Sequence, residues 1–168
     1  MEDNPYQSPQ SVVADFSTGA DLASRGARLG AALLDGLIMM LVIMPVMYFG
    51  GYFTALGEAA IAGKQPFALQ IGWGVVGIAI AFAIQYIPLK ASGQTWGKKI
   101  VGLRIVDMQG QQPGIGVLLG KRYLFANAVG LLPIVGALIS TVNVLLIFRS
   151  DKRCLHDLVA GTQVINAK

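Results

Sequence analysis

The sequence predicts an all-α integral membrane protein with four membrane-embedded helical segments and a small β-pairing at the cytoplasmic face. Three observations predict it. Hydrophobic residues make up 54% of the chain and charged residues only 13%, about half the ~25% usual in soluble domains. The apolar residues gather in blocks, the first of them about 20 residues long and enough for a ~30 Å hydrocarbon core. The basic residues concentrate in one loop between those blocks.

Residues 1–22 are polar and contain Asn4-Pro5-Tyr6-Gln7-Ser8-Pro9, turn and extended-chain formers that read as a mobile tail. Glu2, Asp3, Asp15 and Asp21 are its charges, with no basic stretch ahead of an apolar run. A cleavable signal peptide is therefore not expected, and the first apolar segment is a retained anchor. Residues 23–166 form one membrane domain.

The first membrane segment is expected over about residues 28–49, with Pro45 kinking its far end and Tyr48, Phe49, Tyr52 and Phe53 as an interfacial aromatic belt. Residues 50–68 read as a short loop whose charges are Glu58 and Lys64. The second segment covers about 69–89, where Gly72, Gly74, Gly77, Ala81 and Ala83 allow close helix contact and Pro88 and Gly93 end it.

Residues 90–122 carry Lys90, Lys98, Lys99, Arg104, Lys121 and Arg122 against Asp107 alone. The positive-inside rule places this loop in the cytoplasm, and Arg25 and Arg28 place the N-terminus there too. The last apolar block then has to return. Pro133 divides it into segments of about 114–132 and 134–148, and two short helices hinged there bring Arg149, Lys152 and Arg153 back to the cytoplasm. The alternative is three spans, with the block crossing once against the charge rule. Two β-rich stretches lie on the cytoplasmic side, Lys99–Asp107 and Gly161–Asn166. A lone strand leaves its backbone unpaired, so they are expected to pair with each other.

Asp35 stands inside the first apolar segment, where a carboxylate costs roughly 2.5–3.5 kcal/mol at mid-helix on insertion scales. Arg28 shares its helix face, ~10 Å away along the axis and too far to bond it directly. Asp35 is open to three readings: it ties neighbouring helices, carries an ion or proton, or sits at a solvated level. Supporting polar groups are Arg122, Asn127 (in line with Tyr123 and Gly130), and Ser140 and Asn143 (in line with Gly136). These could converge on Asp35 as cation ligands or hydrogen-bond across the bundle as glue. Asp157 is placed to pair with Arg28 and tie the tail to the first segment. His156 beside it is either a proton relay or a plain surface histidine.

Cys154 is the sole cysteine and His156 the sole histidine, so neither a disulfide nor a cysteine- or histidine-cluster metal site is expected. Gly93-Gln-Thr-Trp-Gly97-Lys98-Lys99 lacks the spacing of a phosphate loop and reads as a turn with an interfacial Trp96 facing anionic lipid. No motif of hydrolytic chemistry is present. No enzyme, cofactor or nucleic-acid partner is expected; the expected partners are the bilayer and anionic lipid at the basic loop.

Three stretches together resemble the RDD family of small bacterial membrane proteins: Arg28-x6-Asp35, Gly93 to Asp107, and Leu155-His156-Asp157-Leu-Val-Ala-Gly161-Thr162. The resemblance spans about residues 23–166 and puts weight on Arg28, Asp35 and Asp157. It implies a multi-pass protein of the bacterial cytoplasmic (inner) membrane. It also implies a transport role, of the sodium–proton exchange type in some members, with Asp35 as the intramembrane carboxylate. Four short segments are too few for alternating access in one copy, so that reading requires a homo-oligomer. The other reading is a non-catalytic scaffold or accessory subunit in which the Arg/Asp set is a structural lock.

Overall fold

The computed structural model describes residues 21–132 and 134–167. Of the tail expected over 1–22, residues 1–20 lie outside them, as does the hinge expected at Pro133; Leu22 is not tail but bridges to Ile165. The fold is mostly helical, with two helices long and apolar enough to cross a membrane. The first, α1 (Arg25–Phe49), starts at Ser24, whose hydroxyl accepts the Ala27 N–H at 3.1 Å. Its 25 residues give a rise of about 37 Å.

The 50–68 stretch, expected as a loop, contains α2 (Tyr52–Ile61), because Ala55, Leu56, Ala59 and Ala60 are strong helix formers. The second long helix is α3 (Phe67–Ser92). Leu33, Leu37 and Leu41 on α1 and Ile71, Val75 and Ile87 on α3 are exposed, a pattern suited to lipid rather than water. At the far end the Tyr52 and Trp73 rings meet edge-on with centroids 5.8 Å apart, within the expected aromatic belt.

A short helix, α4 (Trp96–Val101), stands where the sequence read as a turn. Thr95 starts it, its hydroxyl accepting the Lys98 N–H at 3.2 Å. Two features fix its place. Gly97 lies so close to α1 that a Cβ would run into the Ala31 carbonyl and the Asp35 carboxyl. Pro88 in α3 lacks the N–H that would otherwise bond the Ile84 carbonyl one turn earlier. The Trp96 indole N–H donates to that carbonyl at 3.0 Å.

Strand β1 (Leu103–Asp107) pairs antiparallel with β2 (Thr162–Asn166), from Leu103 opposite Asn166 to Asp107 opposite Thr162. The expected pairing is therefore present, with β1 shorter because Gly102 ends α4 first. Leu22 bridges to Ile165 on the outer edge of β2, so residues 21–23 and the C-terminal strand share one face. Two strands alone are marginal. Leu103, Ile105 and Val164 pack with Ala23, Ala31, Leu89 and Leu118 in the buried core.

The last apolar block starts as a π-helical segment (Val117–Leu124) and continues as α5 (Phe125–Gly130). Helix α6 (Val135–Leu145) follows, then a 3-10 turn (Leu146–Phe148). Gly136 lets α6 close on α5, since a Cβ there would overlap the Val129 carbonyl. Arg25 donates to the Ile147 and Phe148 carbonyls at 3.1 and 3.3 Å, while Arg122 at the block's start reaches the same end of α1 through Asp157. The block thus leaves from and returns to one end of α1. Helix α7 (Leu155–Ala160) leads into β2.

Replacing Trp96 with Phe keeps the ring but removes the donor to Ile84. The expected cost is about 1 kcal/mol, read as a lowered midpoint in thermal unfolding followed by circular dichroism in detergent.

Candidate functional site

Two polar clusters sit beside α1, one around each motif aspartate. The first is built on Asp35 at the start of α4. A helix N-terminus leaves N–H groups without intrahelical partners and attracts negative charge. Here the Gly97 N–H donates to Asp35 Oδ1 at 2.8 Å, and the Thr95 hydroxyl donates to Oδ2 at 2.5 Å. Gln85 of α3, buried, works in both directions. Its Nε2 donates to Asp35 Oδ1 at 3.1 Å, and its Oε1 accepts the Trp96 N–H at 3.2 Å. Lys98 Nζ lies 3.9 Å from Oδ2. Asp35 therefore joins α1, α3 and α4, and both of its oxygens face donors.

The second cluster is built on Asp157, which has no exposed side-chain surface. The Arg28 guanidinium donates to Oδ2 at 2.5 Å, and Arg122, itself 2% exposed, donates to Oδ1. Oδ2 also accepts the Cys154 N–H at 3.1 Å, so the same carboxylate caps α7. Arg28 donates further to the Lys152 carbonyl, and Arg122 to the Thr162 hydroxyl at 2.6 Å. The i→i+5 bonding of the π-helical segment widens its turn, and Leu118 and Arg122, four residues apart, both face inward. Burial alone would push the Asp157 carboxyl up; the Arg122 guanidinium first, and Arg28 with it, overrides this and holds it far below the usual carboxylate range.

His156 is fixed in one neutral tautomer. Its main-chain N–H donates to Asn143 Oδ1 at 3.0 Å, which identifies that atom as an acceptor. Ring Nδ1 lies 2.8 Å from the same oxygen and so carries the proton. Nε2 is then bare and accepts from Arg122 Nη2 at 3.2 Å. Burial, then the Arg122 charge, pushes the imidazole down to about 3. A relay working near neutral pH does not fit this environment.

Cys154, His156 and Asp157 offer ligand atoms within 4.8 Å of one another. The set does not suit a cation. Asp157 is held by two guanidiniums, His156 Nε2 accepts from one of them, and burial pushes the Cys154 thiol up. Arg122 Nε and the Tyr123 hydroxyl, both buried, have no hydrogen-bond partner among the described residues.

Arg28, Arg122 and His156 thus gather on Asp157, with Asn143 bonded to His156, and the expected Arg28–Asp157 pair is present. The convergence on Asp35 weighed for Arg122, Asn127, Ser140 and Asn143 is not what the structure has. Asn127 donates to the Tyr123 carbonyl of its own segment at 2.7 Å, and Ser140 lines a shallow groove on α6. The partners of Asp35 are Gln85, Thr95, Gly97 and Lys98. Gln85 carried a sequence signal, an amide in an apolar helix three residues before Pro88.

The RDD family model matches residues 22–161, the span that holds both clusters. The chain belongs to the RDD family. It is 31% identical over 140 residues to YckC, an uncharacterized protein of Bacillus subtilis (strain 168), covering 83% of this chain and 82% of the relative. It is 30% identical over 144 residues to an uncharacterized protein of Haemophilus influenzae, covering 85% of this chain and 77% of that one. No solved structure matches the chain. Of the three residues on which the resemblance puts weight, Arg28 and Asp157 meet in one cluster and Asp35 stands in the other.

Two outcomes follow from this geometry. Asp157→Asn leaves two buried guanidiniums without their counter-charge, and the expected destabilisation is about 3–5 kcal/mol, read as a large fall in midpoint or in dispersed folded yield. The second concerns acid. His156 folds neutral, so its contribution is complete above its unfolded value of ~6.5 and is lost as pH falls towards about 3. Asp157 acts lower, from its unfolded value of ~3.9 downward. Thermal midpoints should therefore decline below about pH 6.5 in the wild type. In His156→Gln that decline should begin only near pH 4.

Proposed function

We propose that this RDD protein is a non-catalytic membrane module, a scaffold or accessory subunit, in which the Arg/Asp set is an internal lock. One observation carries the reading: the oxygens of Asp35 and of Asp157 are occupied by donors from the chain itself. A carboxylate that carries ions or protons has to exchange partners during its cycle. Asp35 could do so only by releasing the N-terminus of α4 and with it the link to α3. A cation arriving there would also meet Lys98 before it met a free oxygen lone pair.

The reading includes a topology. Helices α1 and α3 cross the bilayer, and residues 117–130 and 135–148 form a shorter hairpin that returns to the face it left. Both ends of the chain and the basic loop are then cytoplasmic, in a multi-pass protein of the bacterial inner membrane. Supporting this are the joint sheet of residues 21–23 with β1 and β2, the Arg25 contacts to Ile147 and Phe148, and the charge of the 90–122 loop.

The deciding experiment is ion-driven pH change in proteoliposomes, with wild type compared against Asp35→Asn at matched folding. The lock reading expects no proton movement driven by sodium, potassium or lithium, and a lowered thermal midpoint in the variant. Hydrogen bonds to a charged group are worth about 1.5–3 kcal/mol each, so the fall should be readily measured. Sodium-dependent flux that disappears in a stable, folded Asp35→Asn protein would overturn it in favour of exchange.

A further inference from the structure

Helical bonding breaks where α5 gives way to α6. The Leu131 and Leu132 N–H groups turn back to the Ala128 and Val129 carbonyls, both at 3.1 Å, and the Gly136 N–H bonds the Leu132 carbonyl at 2.9 Å. The carbonyls of Gly130 and Leu131 and the N–H groups of Ile134 and Val135 have no backbone partner among the described residues. Two observations give the level of this break on α3. The Leu131 side chain fills the space that a Cβ at Gly74 would take. Beyond that notch, Gly130 and Leu131 line a cavity of about 210 Å³ together with Phe67, Gln70 and Ile71 from the start of α3.

The 26 residues of α3 rise about 39 Å against a hydrocarbon core of ~30 Å. Gly74 is ~10 Å from the Phe67 end, so the notch sits roughly 6 Å below the hydrocarbon boundary on that side. Irregular backbone at membrane depth persists only where protein covers it or water reaches it. Protein does not cover this break: Gly130, Ile134 and Val135 are exposed, and the α3 wall of the cavity includes the amide-bearing Gln70. A lipid chain in the cavity would leave the four backbone groups and that amide unbonded. Water can bond them all, and the volume holds several molecules.

We propose that this cavity is a water-filled recess, open on the side of α2, which hydrates the hairpin tip and holds it at a fixed depth. The inference rests on the hairpin topology proposed above. The recess ends at Leu131 and Gly74. One turn further in, Ile43 of α1 lies against Gly77. Gln85, the partner of Asp35, is eleven residues beyond Gly74, ~16 Å along α3. Water in the recess therefore solvates the tip and not the Asp35 cluster.

The test places single cysteines on the full chain in sealed membrane vesicles of each orientation and adds a membrane-impermeant methanethiosulfonate. Cys154 is buried, so the unsubstituted chain sets the background. Lys64→Cys, between α2 and α3, and Ser150→Cys mark the two faces. Gln70→Cys and Gly130→Cys should react from the Lys64 face within about tenfold of the Lys64→Cys rate, because the reactive thiolate forms where water reaches. Gly72→Cys lies at nearly the same level but about half a turn round α3 from Gln70 and Gly74. Facing lipid, it should react at least about tenfold more slowly than Gln70→Cys. Gly72 and Gly130 both have open space where a Cβ would stand. A second measurement needs no variant: in bilayer discs the Ile134 and Val135 amides should exchange hydrogen far faster than those of residues 76–84 in the middle of α3. Tip cysteines that stay unreactive or react only from the Ser150 face overturn the recess alone. So does Gly72→Cys reacting as fast as Gln70→Cys, or protection of the two amides to the level of mid-α3. Lys64→Cys and Ser150→Cys reacting from one common face would overturn the topology, and the recess with it.

Discussion

Asp157 is a carboxylate without exposed surface, held between a guanidinium from the start of α1 and another from the π-helical segment. An isolated charge in that position would be ruinous, and the two arginines are equally costly without it. The three must therefore be assembled together or not at all. Because Arg28 lies near the beginning of the domain and Asp157 near its end, the assembly closes the chain on itself. The pairing of Leu22 with Ile165 and the Arg25 contacts to Ile147 and Phe148 close the same seam. A buried ion cluster contributes less net stability than its short contacts suggest, since desolvation cancels much of the attraction. Its effect here is on arrangement: it fixes which residue of the C-terminal segment faces which turn of α1.

The same reasoning explains why the cluster does not invite a metal or a proton relay. Two guanidiniums face one carboxylate, so the cluster has an excess positive charge that a further cation would increase. His156 meets this excess by staying neutral and offering its bare nitrogen to Arg122, an orientation that Asn143 enforces from α6. Protonating His156 would place a third positive group in contact with Arg122 and break that hydrogen bond. Acid thus opposes this cluster through the histidine before it reaches the aspartate.

The sequence made much of the outline legible. Long apolar runs and a single basic loop point to α1, α3 and the return of the last block to the face of α1 from which it leaves. The β-rich stretches Lys99–Asp107 and Gly161–Asn166 would each leave a lone strand unpaired, so pairing with each other was the expected way to satisfy their backbones, and strands Leu103–Asp107 and Thr162–Asn166 do pair. The Arg28–Asp157 contact followed from two ionisable groups expected at the same interface. What was not legible depends on contacts remote in sequence. The helix of α4 is only six residues long, and its start is held by side chains from α1 and α3. No local periodicity reports that. Gly97 read as a turn residue because glycine usually is one, whereas here its missing Cβ is what lets α4 touch α1. Asn143 read as a candidate partner for Asp35 because it lies on a polar stripe, but that stripe faces α7 at its C-terminal end.

The position of Asp35 follows from the same contacts. A carboxylate within an apolar helix needs several good donors, and α4 supplies them because a helix N-terminus has unbonded N–H groups to give. In return, Asp35 supplies the negative charge that such a short helix needs to persist. Gln85 then ties this pair to α3 at the turn before Pro88, and Pro88 frees the carbonyl that fixes Trp96. Each of these groups leaves open a bond that the next one fills. The acid residue that looks most anomalous in the sequence is thus the one that allows a basic, amphipathic helix to lie against the apolar span.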